Sequence, residues 1–481
     1  DVYKRQAVMW AVVSGIFLKF WIGLCGARYT VVTGEGMIDC FGRVPGPKNW
    51  LVLVVFVGQI ASAVCAVGAI ATAAAIFLGS LVPFGDHTTL IWGAIVTAFA
   101  FTVAWTGRVS MLKYVMALLV TIIVVGVLYV SFHSLPPLRE LLFGLFGFRV
   151  PEVATWATKA GLPITTAWQE ILPLMGWAAG GFASQVWYSY WVLGAGYGIA
   201  GERKWGQPAD EERLGTLSAD EARQVRPWLR AVAFDATAAL VIGTVVTLAF
   251  LLAGAGVLAP CLSGSVVAPA GSELEAVLAD PNLADTLEGP KLALTLSLVF
   301  ATFWGRAGGV LFLVAGAAAM VSTQLGLLAG WPRLLADCLR LLSAGFRRLR
   351  PTTQFRLFLS LFLLTNIAIV ALFGTRPVFL VKLGSIFDGL LLVPLQALAI
   401  GWGLFFGQKK LLSGEAWHLL RPHWYHAAGL ALAFLFFGYF CLFQVPRALA
   451  QLFAGKERVG HRHRHALLIR GRLVGLCPTR S

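Results

Sequence analysis

About ten stretches of this chain are apolar without interruption for roughly 20 residues each, and nothing else in it constrains the fold as tightly. A run of that length placed in hydrocarbon finds no water to hydrogen-bond its backbone. It must therefore satisfy its own N–H and C=O groups as a helix. Charged residues make up 13% of the 481 residues and hydrophobic ones 58%, whereas soluble domains carry about 25% charge. The chain reads as an all-α, polytopic membrane protein, and a soluble globular class is excluded.

The runs fall near 7–25, 51–81, 89–105, 112–132, 171–197, 229–258, 310–330, 355–373, 378–406 and 427–443, with a shorter interfacial stretch at 138–148. Basic residues concentrate in alternate connections: Arg28, Arg43 and Lys48; Arg108 and Lys113; 203–230; Arg333, Arg340 and 347–350 (RRLR); Lys409, Lys410 and Arg421. The segment 260–290 between them is acidic. The positive-inside rule places the basic set in the cytoplasm of a cell with a plasma, or inner, membrane. The net charge of +15 is thus spent on orientation, and no nucleic-acid partner is implied. Within the longest basic connection, Ser218 followed by Asp220 and Glu221 reads as a helix start, leading through a short surface helix into the next span.

The ends differ from this pattern. Residues 1–6 (DVYKRQ) show neither an initiator methionine nor a signal-peptide pattern and read as a non-native start. The charge alternation puts the start of the first run outside, so a cytoplasmic N-terminus needs one more span upstream. The membrane-spanning region is 7–445. Residues 446–481, basic and with HRHRH at 461–465, read as a disordered or non-native tail.

One run is interrupted. In 171–197, ILPLMGWAAGGFASQVWYSYWVLGAGY, Gly180 and Gly181 each weaken a helix by roughly 1 kcal/mol relative to Ala. Ala183, Ser184 and Gln185 follow at mid-membrane depth. Broken helices of this kind bind the solute in many secondary transporters; small residues equally permit close helix contact. Tyr188 and Tyr190 fall on different faces, Tyr188 being the one expected to line a pathway. Asp388 is an acid inside the run 378–406, where charge is costly and by default functional. Lys19 is a cation inside the first run, expected to snorkel or to pair with an acid. Arg306 reads as an interfacial residue. The seven cysteines show no metal or disulfide spacing. Walker A, H-E-x-x-H and nucleophile-elbow motifs are missing, so neither an enzyme nor an ATP-driven pump is expected, and no cofactor.

At 28–50, RYTVVTGEGMIDCFGRVPGPKNW, the chain resembles the Nramp-like metal transporters, whose second span ends in Ala-Arg-(Leu/Tyr) before a Thr-Gly; here these are Ala27-Arg28-Tyr29 and Thr33-Gly34. The stretches GWAAGGFASQVWYSYWVLGAGYG and STQLGLLAG (322–330) resemble a divergent bacterial branch of that family. The resemblance covers roughly 8–445. It implies a LeuT-like inverted repeat of five plus five spans with the first span absent. It also implies a divalent cation as substrate and protons as the coupling ion. The family's Asp-Pro-Gly-Asn motif would precede residue 7, and its Met-Pro-His-Asn-like motif is replaced by Ala183-Ser184-Gln185-Val186-Trp187-Tyr188. A soft Met ligand favours transition metals; Ser184 and Gln185 offer hard neutral oxygens instead, which fits an ion such as Mg or an organic solute. The resemblance gives Asp388 the part of a ligand or proton carrier, unless it lies near the outer third paired with Lys382. It gives Ser322 and Thr323 a possible coupling-ion role. The expected metal set is Ser184, Gln185 and Asp388; an amino-acid symporter and a non-transporting protein that keeps the fold are the alternatives.

Overall fold

The computed structural model describes residues 8–106, 138–153, 166–178, 180–202, 206–253, 291–374 and 377–447, with isolated positions between and after them. Every element among the described residues is helical, and eight helices are long and apolar enough to cross a membrane. The expected run 112–132, the acidic segment 260–290 and both chain ends lie wholly or largely outside the described residues.

The first run forms α1, Met9–Thr33. It stops where Gly34 takes φ +71° and returns its N–H to the Thr30 carbonyl, a left-handed cap that glycine adopts without steric penalty. A short helix α2, Met37–Gly42, follows, then α3, Trp50–Leu81, and α4, Thr88–Trp105. The interfacial stretch is α5, Leu138–Phe146.

The interrupted run is two helices: α6, Trp168–Trp177, and α7, Phe182–Ala195. Gly180 has φ +81°, so the chain cannot continue as a right-handed helix there.

The next span is α8, Ala219–Ala253. Its start is the capping box that the sequence shows. Ser218 N–H and hydroxyl both reach the Glu221 carboxylate (2.9 and 2.8 Å), and the Glu221 N–H donates to the Ser218 hydroxyl at 3.3 Å. The connection carries a short surface helix, Glu211–Gly215, whose Asp210 cap accepts the Arg213 N–H at 3.2 Å, and the helix begun after Ser218 runs unbroken into the span. The helix passes Pro227 and continues into the span, because a proline within a long, packed helix is bridged by its neighbours.

The run expected at 310–330 belongs to a much longer helix, α9, Leu292–Leu342. Gly305 inside it has φ +68°, and the spanning part is Gly305–Leu342. Arg306, exposed at the start of that part, sits where an interfacial residue was expected. After α10, Pro351–Phe373, comes α11, Pro377–Ile386, then one π-helical turn Phe387–Leu391, then α12, Val393–Trp402. The last span begins with α13, Trp424–Tyr439.

Packing sorts these helices into two groups. In one, α3, α4, α9 and α10 contact one another; in the other, α1 packs against α6, α7, α8 and α13. Helix α11 bridges them, touching both α3 and α6.

The basic connections meet at one end of the bundle. Arg28 donates to the carbonyls of Leu420 and Arg421. Arg43 pairs with Glu35 and Glu211, Asn49 donates to the Leu341 carbonyl, and Ser413 bonds the backbone of Leu214 and Leu217. The charge alternation in the sequence and the spatial sorting of the loops therefore agree.

Candidate functional site

The break between α6 and α7 exposes two sets of backbone groups that no helix satisfies: the last carbonyls of α6 and the first N–H groups of α7. The helix dipole makes the first set partly negative and the second partly positive. A buried charge of the opposite sign meets each.

At the start of α7, Asp388 accepts the Ala183 N–H at 3.0 Å. It also accepts from the Gln59 side chain of α3 at 3.2 Å and from the Trp177 indole at 3.3 Å. Gln59 is in turn fixed by the Trp331 indole of α9 at 2.7 Å. Asp388 is 3% exposed and sits in the π-helical turn of the α11–α12 span, a distortion that recurs at functional positions. At the end of α6, Lys19 donates to the carbonyls of Met175 at 3.0 Å, Gly180 at 2.8 Å, Ala178 at 3.4 Å and Gly176.

Glycines make this convergence possible. A Cβ on Gly181 would overlap the Asp388 carboxylate, and one on Gly180 would overlap the Ser184 hydroxyl. A Cβ on Gly389 would overlap the Gly176 carbonyl, so the π turn and the end of α6 touch backbone to backbone.

A cavity of about 1100 Å³ runs between α7 and α9. Gly180, Gly181, Ser184, Tyr188, Ser322, Thr323 and Asp388 all line it, as do Trp177, Trp187, Trp191 and Trp331. The structure thus gathers most of the residues singled out in the sequence. Ala183 and Gln185 are not part of the lining: Ala183 contributes its N–H to Asp388, and the Gln185 amide lies against Gly23 of α1. Ser184 donates to the Gly181 carbonyl at 2.8 Å and Thr323 to the Ala319 carbonyl at 2.8 Å. Tyr190 does not merely pack; it lines the cavity alongside Tyr188.

Two alternatives fall. Asp388 is not paired with Lys382, which binds Glu170 at 2.6 Å. Lys19 does not snorkel, being 0% exposed. Among the described residues, no group of three or more His, Cys, Asp or Glu side chains is placed to hold a metal. Gln59, Trp177 and Trp331 were missed. A Gln within the apolar run 51–81 was the one signal available.

At the end where the basic loops meet, buried charges pair with one another. Arg340 pairs with Asp39 at 2.6 Å and with Asp337 at 2.7 Å, and the Tyr190 hydroxyl of α7 donates to Asp337 at 3.1 Å. Beside it, Glu35 accepts from Tyr29 at 2.6 Å, from Arg43 and from the Ala209 N–H at 2.7 Å. Burial, and then the neighbouring Asp337 charge, push the Asp39 carboxyl well above the usual carboxylate range against the pull of Arg340.

No family model and no curated protein matches the chain. Its fold is similar to that of a manganese transporter of Eremococcus coleocola. A histidine-to-alanine mutant of that transporter superposes with TM-score 0.56 at 16% identity, covering 95% of this chain and 90% of the other. The same transporter in complex with an aromatic bis-isothiourea substituted compound superposes with TM-score 0.57 at 15% identity over the same shares. At such identity the likeness speaks for architecture: this chain is an all-α, multi-pass membrane protein with the LeuT-type fold of those transporters.

Proposed function

We propose that the protein is a secondary active transporter that carries a small cation by alternating access, with a divalent metal ion as passenger and protons as the coupling ion. The observation that carries this reading is Asp388: a buried acid at a helix break, facing a cavity between two helix groups. Broken helices at the repeat interface are where such folds hold their solute. The Ser184 hydroxyl and the Asp388 carboxylate are hard oxygen donors, which suit Mg- or Mn-like ions better than soft metals. The passenger site would be assembled from these groups, and rocking of the α1, α6, α7 and α8 group against α3, α4, α9 and α10 would expose it to either side. The membrane is taken as the bacterial inner membrane, with the basic end in the cytoplasm.

A second reading has its own observation. The cavity wall is rich in aromatic faces, and the Trp187 indole N–H and Tyr188 hydroxyl are buried there without a hydrogen-bond partner among the described residues. An organic solute bearing an amino group would use both the rings and Asp388.

Uptake into proteoliposomes by the full chain decides between them. The metal reading expects accumulation of at least one divalent ion, driven by an inward proton gradient and lost in Asp388→Asn. Uptake of an amine that divalent ions do not affect would establish the second reading and overturn the first. Movement of neither would leave a non-transporting protein with a transporter fold.

A further inference from the structure

Lys19 is the one buried charge at the break that the proposed passenger site does not use. Its surroundings differ from those of an ordinary buried lysine. The ammonium is fully enclosed, and four backbone carbonyls of the α6 end, those of Met175, Gly176, Ala178 and Gly180, converge on it. The Phe437 ring of the last span closes another side, with its centroid 5.6 Å from Nζ. An ammonium has three N–H donors, and four carbonyl oxygens exceed what it can bond linearly. A shell of carbonyl dipoles at the negative end of a helix, walled by an aromatic ring, is the coordination chemistry of a free monovalent cation. Asp388 is the charged group that acts on Lys19 from the helices around it. The ammonium is held by carbonyls, and Asp388 is held by the Ala183 N–H across the break, the Gln59 amide and the Trp177 indole.

We propose that the end of α6 forms a monovalent-cation site whose resident ion is the protein's own Lys19, tethered from α1. The sequence supplies covalently what a free alkali or ammonium ion would otherwise supply from solution. The site keeps α6 docked on α1 without any dependence on external salt. This holds whichever passenger the cavity takes.

Removing the side chain empties the shell, and a small cation should then refill it. The full chain in lipid nanodiscs is heated in the chloride salts of choline, sodium, potassium and ammonium at equal ionic strength. The wild type should unfold at one temperature in all four. Lys19→Met should unfold earlier in choline, and ammonium or an alkali ion should raise its unfolding temperature by about 3 °C or more. Lys19→Gln, which retains two N–H donors without the charge, should show the same salt order with a smaller rise. The proposal is overturned if both variants unfold at the same temperature in every salt, if neither recovers a fold in any of them, or if the wild type gains as much from a small cation as Lys19→Met does. Because the readout is unfolding and not uptake, a wrong passenger assignment leaves this result untouched.

Discussion

Asp388 is held by three donors from three different helices, and each constrains where its charge can point. Replacing it by Asn keeps the shape and removes the charge. Charge-assisted hydrogen bonds contribute about 1.5–3 kcal/mol each, so Asp388→Asn should weaken cation uptake at least about tenfold while leaving the protein folded; a circular-dichroism melt beside the uptake assay checks both. Gly181→Ala puts a methyl group where the carboxylate now lies. Uptake should be lost in Gly181→Ala and retained in the matched control Gly215→Ala, at a surface glycine around which nothing lies within 4 Å of an added Cβ. At this scale the sequence was informative where a residue broke a local rule. Two glycines inside an apolar run marked the break, and an acid inside another run marked its partner. Gln59 and Trp331 were not legible, because their meaning depends on meeting Asp388 across 329 and 272 residues of chain in a two-step hydrogen-bond relay. Lys19 was visible as a buried cation, but its partners are backbone carbonyls, which every residue possesses and which no residue pattern advertises.

The elements around the break are held by close backbone contact and by a buried charge cluster. Gly389→Ala forces the π turn away from the end of α6, and overpacking of this kind costs roughly 1–3 kcal/mol. It should lower the unfolding temperature even with the cavity empty, as scanning fluorimetry would show. At the basic end, Arg340 serves two carboxylates, Asp39 and Asp337, and all three side chains are nearly fully buried. Removing the cation leaves both acids uncompensated, a loss of about 3–5 kcal/mol for breaking a buried pair, so Arg340→Met should be strongly destabilised. Asp39→Asn should do the opposite near neutral pH. The Asp39 carboxyl is raised in the folded state, so the fold takes up a proton that the unfolded chain releases. Its contribution is fully present below the unfolded value and is lost as pH rises through the folded one. Stability of the wild type should therefore increase on mild acidification, and Asp39→Asn should flatten that slope in melts taken across the pH range. Helix existence was readable from apolar runs, whereas helix length was not. The 51 residues of α9 exceed the expected run 310–330 at both ends, and the C-terminal excess carries the buried Asp337 and Arg340.

For the whole molecule, the basic loops that alternate along the sequence converge on one end, and that end holds the Arg340 and Glu35 clusters. A single cysteine placed at Arg350, in a variant lacking the native cysteines, should react with a membrane-impermeant reagent only when the inside of oriented vesicles is accessible. Reaction from the outside would invert the topology. The likeness of architecture to a manganese transporter at 16% identity has a physical basis. Lipid demands only that spans be apolar and backbones be self-satisfied, so one architecture tolerates widely different side chains.

The opposed charges of Lys19 and Asp388 also bear on energetics under a transmembrane voltage. A unit charge moved through 100 mV gains or loses about 2.3 kcal/mol. On the proposed alternating-access reading, an unladen protein whose plus and minus travel together would cross that field with no electrical work, so its return stroke would be blind to the potential and the voltage sensitivity would fall on the laden one. Cutting the tether at Lys19 with no small cation present to refill the shell would hand the return stroke a net negative charge, and the membrane potential would begin to set how fast the empty protein resets.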